Sequence, residues 1–272
     1  MAAPYPQIVL FGDSLFRHAA DTLDGFSLQA ALQWHTQRRF DVINRGLSGY
    51  NTSQALRVLP TLFPPPSPSP FTPRLAYLFV LFGANDSVLP DEASGSSQHV
   101  PLATYTANLT AILTHPNIQA HRPTVVLVTP PPLDGFRRAQ FERDNPGANR
   151  RKARVTAEYA AAARKVAETV PGVVLADLWG VLMGVSTGGT PTNIDTGTTR
   201  ILGDNDDPHS QAGHLSALLC DGLHLTGKGY RMLWESLITP LIVLPDNAES
   251  TEGFVTPGYE TAPWMEETEE NK

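Results

Sequence analysis

A doubly wound α/β domain, with a five-stranded parallel sheet between two layers of helix, is the fold class this sequence predicts. Three observations carry that expectation. Five short runs rich in Val, Leu and Phe recur along the chain, each bounded by Gly, Pro or polar residues. They are continuously apolar instead of alternating, as strands buried on both faces are. Longer helix-like segments separate them, and repeated strand, helix, strand order argues for a parallel sheet covered on both sides.

Taken in order, the first strand is QIVLFG at 7–12, followed by a helix-like segment near 27–38. FDVIN at 40–44 leads into a helix at 52–62, and LAYLFVLFG at 75–83 into one at 102–114. TVVLVTP at 124–130 precedes 150–169, RRKARVTAEYAAAARKVAET, which is dense in the strong helix formers Ala, Arg, Lys and Glu. VVLAD at 173–177 is the fifth strand, and a last helix is expected at 226–244.

Three segments interrupt this alternation. FPPPSPSPFTP at 63–73 reads as a stiff surface connection, because Pro lacks the amide donor that a helix or central strand needs. Residues 186–214 form a long, polar, Gly-rich insertion, and loops of that length are usually lids or disordered. The tail 246–272 is acidic and set apart from a single domain at 1–245.

Charge excludes one class of partner. The chain carries 27 acidic and 20 basic residues, and eight acids and one base lie from Asp246 onward, so residues 1–245 hold 19 of each. A neutral body has no electrostatic footprint for nucleic acid. No apolar run is long enough to span a membrane. The single cysteine, Cys220, rules out an internal disulfide, and the N-terminal MAAPYPQIVLFGDS lacks the pattern of a signal peptide. Together these predict a cytoplasmic protein.

The chemistry follows from the fold rule that ligands bind beyond the carboxyl ends of parallel strands, where strand order reverses. Strand one ends in Gly12-Asp13-Ser14, strand two runs into NRGLSGYN at 44–51, and strand three ends in Gly83-Ala84-Asn85-Asp86. Ser14 needs a base to become a useful nucleophile. His224, with Asp221 three positions before it, supplies the base and the group that orients it. Acyl transfer also needs donors for a developing oxyanion, and the Ser14 amide, the Gly49 amide and the Asn85 side chain are the candidates. Losing one such donor costs on the order of 3 kcal/mol of transition-state stabilisation.

Each of these residues has a plainer reading. Ser14 could cap a helix. Asn85-Asp86 could be a turn signal, and Asp86 is read as structural, capping the following segment. Gly46 could supply a close-approaching amide in place of Gly49. Cys220 reads as a small buried residue, and His209 and His214, near Asp204, Asp206 and Asp207, as surface loop rather than a metal cluster.

Two decoys compete for the site. From Gly222, DGLHLTGKGY also reads G-x-x-x-x-G-K-G, close to a phosphate-cradling loop, but Gly229 stands where such a loop needs Ser or Thr. Gly184-Val185-Ser186-Thr187-Gly188 matches a G-x-S-x-G nucleophile elbow, yet DLWGVLM before it reads as a helical turn instead of the required strand.

FGDSLF, NRGLSGYNT, FGANDS and DGLHLTGKGY, in that order, resemble the four blocks of the SGNH/GDSL hydrolase family over roughly residues 7–244. The resemblance implies a flavodoxin-like sheet with Ser14 as nucleophile, Asp221 and His224 completing a triad, and Ser14, Gly49 and Asn85 as the oxyanion hole. NRGLSGY and the DGLHLTGKGY ending are most similar to the isoamyl acetate-hydrolysing esterases, though Leu15 and Phe16 depart from that branch. The expected activity is hydrolysis of small short-chain esters through an acyl-enzyme, with no cofactor and no metal. The rivals are a lysophospholipase, thioesterase or carbohydrate deacetylase on the same scaffold, and a non-catalytic nucleotide-binding protein.

Overall fold

The computed structural model describes residues 4–69, 71–90, 98–145, 150–184, 201–242, 244 and 253–256. Five strands, β1 (Gln7–Gly12), β2 (Asp41–Gly46), β3 (Leu75–Leu81), β4 (Thr124–Val128) and β5 (Val173–Ala176), form one sheet in the order β2-β1-β3-β4-β5. Every pairing is parallel. The chain steps outward from β1 to β2 and then crosses back to β3 on the other side, so the order reverses between β1 and β3. Gly12 pairs with both Gly46 and Leu81, which brings the carboxyl ends of these three strands level. The crevice of the doubly wound fold therefore opens directly above them.

Among the described residues, ten α-helices accompany the strands: α1 (Ser14–Arg17), α2 (Leu28–His35), α3 (Thr52–Leu62), α4 (Leu102–Leu113), α5 (Pro116–Gln119), α6 (Gly135–Asp144), α7 (Ala153–Thr169), α8 (Leu178–Leu182), α9 (Leu215–Leu218) and α10 (Gly227–Leu233). Side-chain caps start many of them: Ser27 on α2, Asp134 on α6, Asp177 on α8 and Thr226 on α10. Asn51 and Gln54 make a reciprocal capping box at α3. Each such cap satisfies an amide that the first helical turn leaves without a partner, a contribution of about 1 kcal/mol.

The pleat of β1 divides the interior. Ile8 and Leu10 face a core built with α2, α8 and α10, whereas Val9 and Phe11 face one built with α3 and α4. Helix α7 contributes to both, through Ala153, Ala157 and Ala160 on one side and Tyr159, Ala163 and Val166 on the other. All five expected strands are present. Among the departures, the final helix is α-helical only to Leu233. It then widens into a π turn over Trp234–Ile238, with the Thr239 amide reaching back to the Trp234 carbonyl. Pro240 lacks an amide to continue the regular ladder, which accounts for the break.

Part of the 186–214 insertion, residues 186–200, lies outside the described residues. Residues 201–214 are anchored: Ile201 and Asp204 are buried, and the Gly135 amide at the start of α6 donates to the Gly203 carbonyl at 2.8 Å. Of the acidic tail, only residues 253–256 are described. Val255 donates to the Arg38 carbonyl at 3.0 Å, and the Phe254 ring lies beneath the Arg38 and Arg39 guanidinium groups.

Candidate active site

Ser14 opens α1 immediately after β1, but it is not the cap. Asp13 caps the helix, its Oδ1 accepting from the Leu15 amide at 2.9 Å, so the Ser14 hydroxyl is left for another partner. That partner is His224, whose Nε2 lies 2.9 Å from Ser14 Oγ. His224 Nδ1 lies 2.9 Å from Asp221 Oδ2. Asp221 Oδ1 accepts from the amides of Leu223 at 3.0 Å and His224 at 2.8 Å, which folds residues 221–224 into a tight turn around the carboxylate. Arg138 Nη1 approaches Asp221 Oδ2 at 3.5 Å. Burial alone would raise the Asp221 pKa; hydrogen bonds from the imidazole and the two amides, with the imidazolium charge, outweigh it and hold the carboxyl well below the usual range.

Helix α10 ties the two turns together. Tyr230 is buried and donates its hydroxyl to the carbonyl of Leu15, one residue after Ser14. On the other side, Asn44 Nδ2 donates to the Phe16 carbonyl at 2.7 Å. A Cβ on Gly46 would lie 2.0 Å from the Arg17 amide nitrogen, so only glycine lets α1 sit on the end of β2. Leu15 and Phe16, the two departures from the esterase branch, are fully buried and serve the core.

Ser14, Gly49, Asn85, Asp221 and His224 line one open cavity of about 380 Å³, with Arg138 and Arg151 in its wall. Gly49 has φ +82°, a conformation that side chains rarely adopt, and its carbonyl accepts from Gln98 Nε2 at 2.6 Å. The Gly46 amide, by contrast, already donates to Asn44 Oδ1 at 2.8 Å. Asn85 Nδ2 donates to the Tyr50 carbonyl at 2.9 Å and its Oδ1 accepts from Arg151 Nη2 at 3.1 Å. The Ser14 amide, in the first turn of α1, precedes the internal helical ladder.

Two further carboxyls lie beneath the cavity. Burial pushes Asp13 up to about 7 against the opposing pull of the Leu15 amide and nearby cations. Asp86 is pushed up to about 6 by the same cause, although Thr52 donates to it from both its hydroxyl and its amide. Asp86 is thus a structural residue as expected, but it secures the start of α3 instead of capping the segment that follows it.

The decoys separate on geometry. Four amides of the would-be phosphate loop are already engaged: Leu223 and His224 donate to Asp221, Gly227 to Asp24 and Gly229 to Thr226. Those four are not free to cradle a phosphate. Ser186 lies outside the described residues, but the chain leading to it, α8 and Gly184, is helix and turn, not a strand. Cys220 is a correction: it is exposed, not buried. Partial desolvation and the Asp221 charge push its thiol up, which leaves it a poor nucleophile. His209 is exposed on its loop, and His214 is committed to the Leu182 carbonyl at 2.7 Å.

The GDSL-like lipase/acylhydrolase family model matches residues 10–232, a span that contains every residue of this cavity. The chain belongs to that family. Among GDSL relatives, the isoamyl acetate-hydrolyzing esterase 1 homolog of Mus musculus is 34% identical over 238 residues, 86% of this chain and 80% of that protein. A GDSL esterase/lipase of Arabidopsis thaliana is 32% identical over 244 residues, 86% of this chain and 85% of that protein. A solved lipase/acylhydrolase from Enterococcus faecalis superposes with a TM-score of 0.53 at 22% identity, covering 84% of this chain and 91% of its own, a likeness of fold. This GDSL protein is accordingly a carboxylic ester hydrolase.

Sequence reading passes over both arginines of the GDSL cavity. Arg138 rides on α6, a helix whose GFRRAQFERD has no apolar periodicity; the Asp-Gly pair that opens it was the available signal, since Asp134 caps it. Arg151 lies just before α7, two residues from its first turn, and is buried there. An arginine in a basic run reads as solvated surface, and nothing local marks this one otherwise.

Proposed function

We propose that this GDSL protein is a serine esterase that hydrolyses small, short-chain carboxylic esters through a covalent acyl-enzyme. The observation that carries the reading is the continuous relay from Ser14 Oγ through His224 to Asp221, with both contacts at 2.9 Å, in the cavity that also holds Gly49 and Asn85.

Asp221 is an acceptor, so it selects the tautomer with the proton on His224 Nδ1 and leaves Nε2 to take the Ser14 proton. As Ser14 Oγ bonds to the ester carbonyl carbon, the carbonyl oxygen becomes anionic. Donors from Ser14, Gly49 and Asn85 stabilise it there. His224 then gives its proton to the departing alkoxide oxygen as the carbon–oxygen bond breaks, which frees the alcohol and leaves the acyl group on Ser14. Water loses a proton to His224 and attacks in turn; the serine takes the proton back and the acid departs.

The cavity supports a small substrate: at about 380 Å³ it is near the lower end of ligand pockets. The ester named in the mouse relative's own name supports the same size class. One cysteine, and hence no internal disulfide, is in keeping with work in the cytoplasm. The test is a series of p-nitrophenyl esters of increasing acyl length. The expected result is a kcat/KM maximum among acyl groups of about two to six carbons, as a pocket this small implies. A maximum at long acyl chains would favour a lysophospholipase instead.

A further inference from the structure

We infer that Arg151 is the positioning residue that fixes the orientation and polarity of the Asn85 amide; the inference rests on the esterase reading above. A side-chain amide can turn over and offer either its oxygen or its nitrogen, so an asparagine is a dependable oxyanion donor only where something forbids the flip. Here both ends are specified. A guanidinium has donors only, and Arg151 Nη2 meets Asn85 Oδ1 at 3.1 Å. The Tyr50 carbonyl accepts only, and Asn85 Nδ2 meets it at 2.9 Å. Turning the amide over would set donor against donor and acceptor against acceptor. One Nδ2 hydrogen is taken by Tyr50, which leaves the second for the cavity that Asn85 lines.

Arg151 grips more than the side chain. Its Nε donates to the carbonyl of Ala84 at 3.1 Å, so one planar group holds two successive acceptors of the turn after β3. The group is buried, 8% exposed, where a hydrogen bond is electrostatically stronger than in water. Burial lowers its pKa to about 10, against the pull of Asp13, Asp221 and Glu142, so it stays charged at neutral pH. A cation on Oδ1 draws electron density from the amide and makes the remaining Nδ2–H a better donor to an oxyanion. Lysine cannot reproduce this, because its single ammonium cannot meet both acceptors in one plane.

The test combines a double-mutant cycle with a transition-state mimic. Wild type, R151M, R151K, N85A, R151M/N85A and R151K/N85A are assayed with p-nitrophenyl acetate, and inhibition is measured with a trifluoromethyl ketone that forms an oxyanion on serine. N85A is expected to lose about 10²- to 10³-fold in kcat, the usual loss for one oxyanion donor. R151M is expected to lose about 10- to 100-fold in kcat with KM within about twofold, because only the transition state bears the charge. Ketone affinity should fall in parallel. In the N85A background R151M should add less than about twofold, since residues acting through one another are non-additive. If R151M folds poorly, R151K serves: retained folding with a kcat loss that disappears in the N85A background supports the inference. Losses that multiply in the double variant, or a raised KM with kcat unchanged, would overturn it while leaving the esterase intact. Wild-type protein without ester turnover would overturn both.

Discussion

Two turns meet at the cavity, and each carries an aspartate beside the Ser14–His224 contact. The turn after β1 is held by backbone and core: the Asp13 amide donates to Leu81, the Leu47 amide to Gly12, and Leu15 and Phe16 are buried behind it. Its acid, Asp13, is wholly buried, with Oδ2 unpaired among the described residues, and it is pushed up to about 7. The turn at 221–224 is held by its own side chain. Its acid, Asp221, is also partly buried, yet it collects two amides, an imidazole and a guanidinium and is held well below the usual range. Burial acts in the same direction on both. The number of donors at the oxygens decides which acid anchors a helix with little charge and which presents a fixed negative charge to a histidine.

The sharpest way to break this comparison is Asp221→Asn. Oδ1 can still accept from Leu223 and His224, but the charge is lost and the imidazole tautomer is free to reverse. The expected loss in kcat is about 10³- to 10⁴-fold with KM little changed, as for other triads that lose their acid. A loss below about tenfold would show that Asp221 is only a turn residue.

Asp13→Asn should do the reverse, touching stability more than rate. The folded-state pKa of about 7 lies above the ordinary 3.8, so between those values the folded chain keeps a proton that the unfolded chain has released. Stability contributed by the protonated acid is therefore complete at low pH and lost as pH rises from about 4 to about 7. The asparagine variant cannot ionise and retains an acceptor for the Leu15 amide. Its urea midpoint should fall less across that window than the wild type's. Parallel curves for the two proteins would contradict the assignment. The smallest effect is expected at Cys220, next to Asp221 but exposed with a raised thiol: Cys220→Ser keeps the side chain's size and should leave kcat/KM within about twofold. Inactivation by thiol alkylation would show that this turn carries a second reactive group.

How legible the protein was in its sequence follows the same division. The strands were legible because burial on both faces forces continuous apolar runs, and the expected 52–62 helix coincides with α3, whose start Asn51 and Gln54 fix by a local capping box. Ser14, Asn85, Asp221 and His224 stood out because polar residues at strand ends and in turns break an otherwise apolar pattern. What stayed hidden is whatever depends on long-range packing. The Tyr230 hydroxyl on Leu15, the Arg151 clamp on Asn85 and the donor count that separates Asp13 from Asp221 join residues far apart in the chain. Helix α6 was missed for another reason: its exposed, charged composition has no apolar stripe, and tertiary contacts such as Gly135 to Gly203 hold it in place.

The central claim, that Ser14 attacks the ester, is tested most directly by treating the full chain with diethyl p-nitrophenyl phosphate and locating the adduct by peptide mass spectrometry. One diethylphosphoryl group on Ser14, formed in step with loss of esterase activity and absent in Asp221→Asn over the same time, is the expected result. An adduct on Ser186, or loss of activity with Ser14 unmodified, would contradict the account.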